Sequence, residues 1–534
     1  MRFNNLLSGA GIFMKVALIA PPYPLEEGPS APLGLCYVAA AFEAAGADVK
    51  ILDFIVRRYS PEKLIAELSS FAPDVIGITS VTLNFYAAAS IIKTAKTAFP
   101  SAITVMGGPH VSIDYESTLK QYPEIDLIVV GEGEQTIAEL LPMIHNRMAW
   151  ADIKGIAYRH EHEIIATRQR ELIGNLDLLP LPARHLLPMS RYLALGFPIS
   201  IITSRGCPNR CIFCQGQRMV GSRIRNRNAK LVVDEIENLL AYGFERINFS
   251  DDFFTSNVRR VKQICEEIRN RQLSFKWTVF ARADSVDMKL LTVMRDSGCD
   301  TVFFGIESGN QQMLDRIKKR IKLDRIRQAV ADCKAVGMSV FASFIVGLPA
   351  ESMQTLMDSH NFAKELDVTY GYHFLAPFPG TEIMEKMGDY DLQLLTRDWS
   401  MFDANRAIVR TSHLTPEEIE DFVEKFYMKN IRECDADIEN RYNSGKLSPS
   451  ERLNYFGKKK LGIVYRLLSE DLIETTAPIP ASEAGVAPEV GLSEKISSRI
   501  DKPREFVLES IRHLVERGYL KQAIDDNHWV WHWA

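Results

Sequence analysis

The sequence predicts an α/β protein with two parallel-sheet units in succession and a mainly helical tail, and three observations carry that prediction. Short apolar runs alternate with helix-patterned stretches from about residue 16 to 145, and again from about 199 to 376. In the first series the runs are apolar throughout instead of alternating apolar with polar, which marks parallel strands covered on both faces. After about Arg410 the alternation stops and charged, helix-patterned segments take over.

In the first series, strands are expected at 16–20, 49–53, 74–79, 102–106 and 126–130. Helices are expected at 35–45, stopped by Gly46, at 61–71, opened by Pro61, at 85–99, stopped by Pro100, and at 136–145. This is the pattern of a doubly wound, flavodoxin-like (Rossmann-like) domain over 14–150, whose ligands sit at the carboxyl ends of the strands. Residues 151–192 read as a hairpin (155–158 and 164–167) followed by an extended, Leu- and Pro-rich linker. The second series places strands at 199–203, 246–250, 276–281, 301–306, 339–346 and 370–376. Six strands with helices between them predict a partial (β/α)6 barrel over 193–410, active where its strands end. Helices are expected at 416–432 and 439–474 within a helical region, 411–476. A mobile linker rich in Pro, Ala, Glu and Gly covers 477–491. A small helix-and-strand module, winged-helix-like in outline, closes the chain at 492–534. Trp529, Trp531 and Trp533 lie on its terminal strand, where packing on the preceding helix is the first reading and capping a substrate pocket the second.

At 534 residues the chain is long enough for three or four domains, and 46% hydrophobic with 25% charged residues is the balance of a globular protein. A net charge of -5 gives no footprint for a nucleic-acid partner. No run of roughly eighteen apolar residues occurs, so no spanning helix is predicted. Residues 1–13 read as an N-terminal extension without the apolar region and cleavage site of a signal peptide. Of the eight cysteines, Cys36, Cys265, Cys299, Cys333 and Cys434 are scattered and read as small buried hydrophobes. The other three are bunched, and a reducing cytoplasm suits both groups.

The bunched set is Cys207, Cys211 and Cys214, directly after the first barrel strand and preceded by Gly206. Three thiolates so close can wrap one metal centre. They leave one iron of a 4Fe-4S cubane without a protein donor, and an open iron is what a substrate-binding cluster needs. A zinc knuckle would call for a fourth nearby Cys or His, and the next cysteine is Cys265. Further strand ends supply polar groups at the same mouth. Asp251 follows the second strand, Arg282 the third, Glu307 and Ser308 the fourth, and Gly347 the fifth; Pro377-Phe378-Pro379-Gly380-Thr381 follows the sixth. Arg282 is suited to a carboxylate, Glu307 or Ser308 to an ammonium or ribose, and Gly347 to close backbone approach. Asp251 has an equal claim as a helix N-cap.

With Phe213 before the last cysteine, the motif Cys-x3-Cys-x2-Cys closely resembles that of the radical S-adenosylmethionine (SAM) superfamily. The resemblance implies that SAM chelates the open iron and is cleaved reductively to a 5′-deoxyadenosyl radical. It also implies that Phe213, Asp251, Arg282, Glu307, Ser308 and Gly347 surround SAM, and that flavodoxin or ferredoxin supplies the electron.

The first domain offers small residues at its strand ends: Leu33 and Gly34, Ser80 and Thr82, Gly107, Gly108 and His110, then Gly131, Glu132 and Gly133. Glycines and hydroxyls suit a flat, amide-rich ligand. In combination with the barrel, this is similar to the cobalamin-binding domain of cobalamin-dependent radical SAM enzymes, over about 14–400. The Asp-x-His-x-x-Gly motif of many cobalamin proteins is absent, and His110 is a poor candidate for a cobalt ligand. The implied reaction is methylation of an unactivated carbon through methylcobalamin, on a small-molecule or lipid-like substrate. Cyclisation, rearrangement or oxidation without methyl transfer is the alternative, and a non-catalytic cobalamin or iron-sulfur sensor is the third reading.

Overall fold

The computed structural model describes residues 14–23, 30–480 and 487–534. The expected N-terminal extension lies outside the described residues. Of the expected linker at 477–491, residues 481–486 lie outside them too.

The N-terminal sheet contains β1 (Lys15–Ala20), β2 (Asp48–Asp53), β3 (Val75–Thr79), β4 (Ile103–Gly107), β5 (Leu127–Val129), β6 (Ile156–His160) and β7 (Glu163–Ala166). The first five are parallel in the order β2-β1-β3-β4-β5, which is the flavodoxin-like winding. The apolar strands follow from coverage on both faces. Val16, Leu18 and Ala20 of β1 enter one core, while Ala17 and Ile19 enter the other. The expected hairpin does not stand apart. It extends the sheet, with β6 antiparallel to β5 and β7 antiparallel to β6. Between 175 and 188 the chain is not uniformly extended but takes two single 3₁₀ turns, Leu176–Leu178 and Arg184–Leu186.

The second unit opens with β8 (Ile199–Ile201) and a two-residue ribbon, β9 (Ser204–Arg205) against β10 (Arg225–Asn226). Next come β11 (Arg246–Phe249), β12 (Lys276–Ala281), β13 (Cys299–Glu307), β14 (Ser339–Val346) and β15 (Thr369–Phe374). Strands β8, β11, β12, β13, β14 and β15 pair in chain order, all parallel, as a (β/α)6 partial barrel requires. Val302, Phe304 and Ile306 of β13 are buried beneath helices, while Phe303 points to the other face. There Phe280, Phe303 and Phe341 stand in register, with ring centroids 5.1 and 5.4 Å apart, and floor the barrel.

Beyond the short pair β16 (Gln393–Leu394) and β17 (Val409–Arg410), the chain is mainly helical. The expected helices at 416–432 and 439–474 are cut differently. Helix runs from Pro416 through a π turn at Glu424–Met428 to Asn443, then restarts at Pro449. The break has a local cause: the Ser448 side chain accepts from the Glu451 N–H, and Glu451 caps the Ser448 N–H in return. The expected linker is structured at both described ends, by β18 (Ile479–Pro480) and the helix starting at Pro488. The terminal strand is a hairpin, β19 (Leu520–Asp525) with β20 (His528–Trp533), and β18 pairs on β20. Trp531 packs in the core, and Trp533 lies beneath the Arg191 guanidinium at 5.3 Å. The helical region docks on the first domain: Asp471 takes the Lys63 ammonium and accepts from the Arg58 N–H at 3.1 Å.

Candidate active site

Where β8 ends, a dense set of hydrogen bonds shapes the cysteine loop. Asp251, 4% exposed, accepts from the Thr203 N–H and hydroxyl, each at 2.5 Å, and from the Ser204 hydroxyl at 2.6 Å. Asp252 accepts from the Gly206 N–H at 3.1 Å. Gly206 has φ +103°, and a Cβ there would stand 2.3 Å from the Arg223 carbonyl oxygen, so only glycine fits. Two further strand-end segments brace the loop: Ile212 N–H donates to Ile317 O at 3.2 Å, and Ile383 N–H to Ile212 O at 3.0 Å.

The three thiols share one electrostatic environment. Burial pushes the Cys211 and Cys214 thiols up; Glu307 and Cys207 add to this at Cys211, where Lys319 and Arg282 oppose it, and Cys211 and Cys207 add to it at Cys214, where the Gly216 N–H opposes it. Sulfur-directed donors are present: Asn209 Nδ2 lies 3.2 Å from Cys207 Sγ, and Gly216 N 3.3 Å from Cys214 Sγ. Such donors stabilise thiolate, the form that binds iron. Among the described residues no three His, Cys, Asp or Glu side chains are gathered tightly enough for a single ion. The donor set therefore fits an iron-sulfur cluster through its chemistry and loop, not through a preformed ion cage. Cys36, Cys265, Cys299 and Cys333 are buried as expected; Cys434 is exposed, because its helix leaves that face to solvent.

The other strand ends are brought to the same mouth, with several side chains already committed to the protein. Arg282 forms a bidentate pair with Asp284 (3.0 and 2.9 Å) and donates to Lys319 O at 2.9 Å, and so anchors the segment beside Cys211. Glu307, at φ +69° beside a register shift, pairs with Lys319 Nζ at 2.6 Å. Phe213 is half-buried against the core. Three of the expected positions are engaged within the protein. Both oxygens of Asp251 are consumed in shaping the cysteine loop, and the Ser308 hydroxyl is buried against Ser359 at 3.2 Å while accepting from the Asn310 N–H. Gly347 also differs from the expectation of an open backbone: its N–H donates to Glu351 Oε2 at 2.5 Å. The sequence reading assigned no role of their own to Lys319 and Glu351. The charged run 318–320 and the acid four residues after Gly347 were the available signals.

A cleft of about 380 Å³ separates the carboxyl ends of the first sheet from the barrel mouth. Gly34, Gly107, Gly108, Gly131, Glu132 and Gly133 line it. The barrel side contributes Arg205 and Met219, which the sequence reading did not name, and Ser250 and Asp252 from the end of the second barrel strand. A Cβ built at Gly34 or Gly131 would meet no protein atom within 4 Å, so both leave open space for a ligand. Gly108, at φ +108°, lets the chain pass Ser80, whose carbonyl oxygen would be 2.3 Å from a Cβ. Ser80 is buried and its hydroxyl has no partner among the described residues. Leu33, Ser80, Thr82 and His110 do not line the cleft. His110 Nδ1 faces Thr82 Oγ1 at 3.3 Å between Phe85 and Trp399, and burial pulls its pKa down to about 4. It is neutral and turned into the core.

A buried ion network joins the cleft's two walls. Glu132 takes both terminal nitrogens of Arg225 at 2.8 Å, Arg205 Nη1 at 3.1 Å and the Ile173 N–H at 2.8 Å. Arg205 also reaches Glu134 at 2.5 Å. Burial alone would raise Glu132; the arginines and the Ile173 N–H outweigh it and hold the carboxyl below its usual range.

Two family descriptions match. Residues 27–141 match the B12 binding domain, and residues 201–363 the radical SAM superfamily. An uncharacterized methyltransferase of Pyrococcus horikoshii is 35% identical over 425 residues, covering 78% of this chain and 92% of that protein. An anaerobic magnesium-protoporphyrin IX monomethyl ester cyclase of Rubrivivax gelatinosus is 30% identical, with 70% of each chain covered. Among solved structures, the radical S-adenosylmethionine methyltransferase TsrM from Kitasatospora setae, with cobalamin and a [4Fe-4S] cluster bound, aligns with a TM-score of 0.67. It is 18% identical and covers 95% of this chain and all of that one, a likeness of fold.

Proposed function

Since the chain belongs to the cobalamin-dependent radical SAM family, we propose that it methylates an unactivated carbon of a small-molecule or lipid-like substrate. It is an enzyme whose cofactors are a 4Fe-4S cluster, S-adenosylmethionine and cobalamin. Together these supply the electron that splits SAM, the hydrogen-abstracting radical, and the methyl relay.

The observation that carries the reading is a shared wall. Asp252 both holds the Gly206 N–H beside Cys207 and lines the cleft of the first domain. A substrate in that gap would meet both cofactors at once, which is the positioning such chemistry needs. In this reading Cys207, Cys211 and Cys214 hold the cluster, and Asp251 and Asp252 set the shape of their loop. Lys319, Glu307 and Arg282 line SAM's side of the mouth, and Lys319 offers its carboxylate a cation. The glycines of the cleft cradle the corrin, and Glu132 and Glu134 lock the domains at a fixed spacing.

An electron donor of the flavodoxin or ferredoxin type completes the scheme. Among the described residues no helix is long and apolar enough to cross a membrane. We place the enzyme in the cytoplasm because all eight cysteines are unpaired.

Anaerobically reconstituted protein with dithionite tests the reading. It predicts 5′-deoxyadenosine from SAM, lost when any of the three cysteines becomes Ala, together with S-adenosylhomocysteine and a product heavier by one CH₂. The R. gelatinosus cyclase favours a second reading, radical cyclisation without methyl transfer. Under that reading 5′-deoxyadenosine forms without S-adenosylhomocysteine.

A further inference from the structure

We infer that the outer face of the cysteine loop is the docking surface for an acidic one-electron carrier protein, centred on Arg210, Arg320 and Lys386. The inference rests on the radical SAM reading, which requires one electron from outside per cleavage. Three segments meet on this face. The cysteine loop is bonded to the 316–322 turn through Ile212 and Ile317, and to the helix Glu382–Glu385, which ends at Lys386, through Ile383 and Ile212. Cys211 Sγ lies 3.9 Å from the Lys318 carbonyl oxygen, so the turn runs directly past the thiol.

The charges of these segments do not cancel. Lys318 is paired with Glu382, Arg218 with Glu385, and Lys322 with Asp315. Arg316 is exposed and spends its guanidinium on the Pro349 and Ala350 carbonyl oxygens, with no carboxylate. Arg210 and Arg320 are exposed and form no ion pair among the described residues. Lys386 is exposed too, and Glu382, on which its charge acts, already holds Lys318. A chain of net charge -5 thus gathers surplus cations around its reducible centre. Surplus charge of one sign steers an oppositely charged partner and raises its on-rate, by roughly ten- to a thousandfold at low salt. The shape is fixed as well, since Lys318 and Arg320 both hold left-handed backbone, at φ +57° and +56°. The step balances simply: a reduced flavin or iron-sulfur carrier loses one electron, the cluster gains it, and no bond forms or breaks.

The test is anaerobic stopped-flow reduction of the full-length reconstituted protein by reduced flavodoxin, followed by the cluster's absorbance and its electron paramagnetic resonance signal. The double variant Arg210→Glu/Arg320→Glu should be reduced about tenfold more slowly than the parent at low ionic strength, the difference fading as salt screens the charges. Reduction by dithionite should be unchanged, and Arg210→Lys/Arg320→Lys should keep the parent's rate. Equal flavodoxin rates for the parent and the Glu variant would overturn the docking surface. Failure of dithionite to drive SAM cleavage in the parent would instead overturn the radical SAM reading.

Discussion

Replacing Glu132 by Ala should loosen the coupling of the two domains without disarming the barrel. Among the described residues, the substitution strips Arg225 of its only carboxylate and Arg205 of one of two. Both arginines are buried, with side chains 5% and 10% exposed, and removing one member of a buried pair typically costs about 3–5 kcal/mol. The low end applies. Arg205 retains Glu134 at 2.5 Å, and Arg225 still reaches the Ile173 and Val220 carbonyl oxygens at 2.8 Å. About 3 kcal/mol corresponds to a little over a hundredfold in the equilibrium between docked and undocked domains. The assay is a cobalamin titration beside dithionite-driven 5′-deoxyadenosine formation. Cobalamin affinity and methyl transfer should fall, while SAM cleavage stays near the parent value. Glu132→Gln, which keeps one acceptor, should lie between. An E132A protein with parental cobalamin affinity and melting temperature would refute the assignment of this network as the clamp.

Gly206→Ala should cost several kcal/mol and lower iron content, because its Cβ would strike the Arg223 carbonyl at left-handed φ; iron analysis and thermal melting check it. His110, held at about pKa 4 by burial, binds fewer protons folded than unfolded. Stability is therefore full above its unfolded value near 6.5 and is lost as pH falls from there toward 4, by up to about 3 kcal/mol. Denaturant unfolding at pH 7.5 and 5 should show the loss, and His110→Gln should flatten it. Glu351 has the opposite sign: burial raises its pKa to about 8, against the Gly347 and Leu348 N–H groups, so its folded state binds the extra proton. Its contribution is present at low pH and is lost as pH rises through 8, and Glu351→Gln should narrow the gap in melting temperature between pH 7 and 9.

How far the sequence carries depends on the distance over which each feature is decided. The apolar runs that became β1 to β5 were legible because burial on both faces leaves few polar positions, and the six barrel strands because each is followed by a helix-patterned stretch. The cysteine trio was legible because its ligands lie within one loop. The edges of helices were less so: the restart at Pro449 is announced by Ser448 and Glu451, three residues apart, against a background of continuous helical pattern. Asp251, Ser308 and His110 share a common difficulty. Each sits at a strand end, and composition cannot say whether such a side chain turns to the cavity or back into the protein. In all three, a buried partner (Thr203, Ser359 or Thr82) decided it.

Read alone, the chain determined its two strand-helix units and the trio of thiols, because periodicity and spacing are properties of neighbouring residues. Only the tertiary structure decided that Glu132 meets Arg205 and Arg225, that Lys319 reaches Glu307, and that Asp252 stands between the cluster loop and the cleft. Those partners are brought together by the winding of two sheets. An ion pair formed across a fold leaves no periodic trace in the sequence that encodes it.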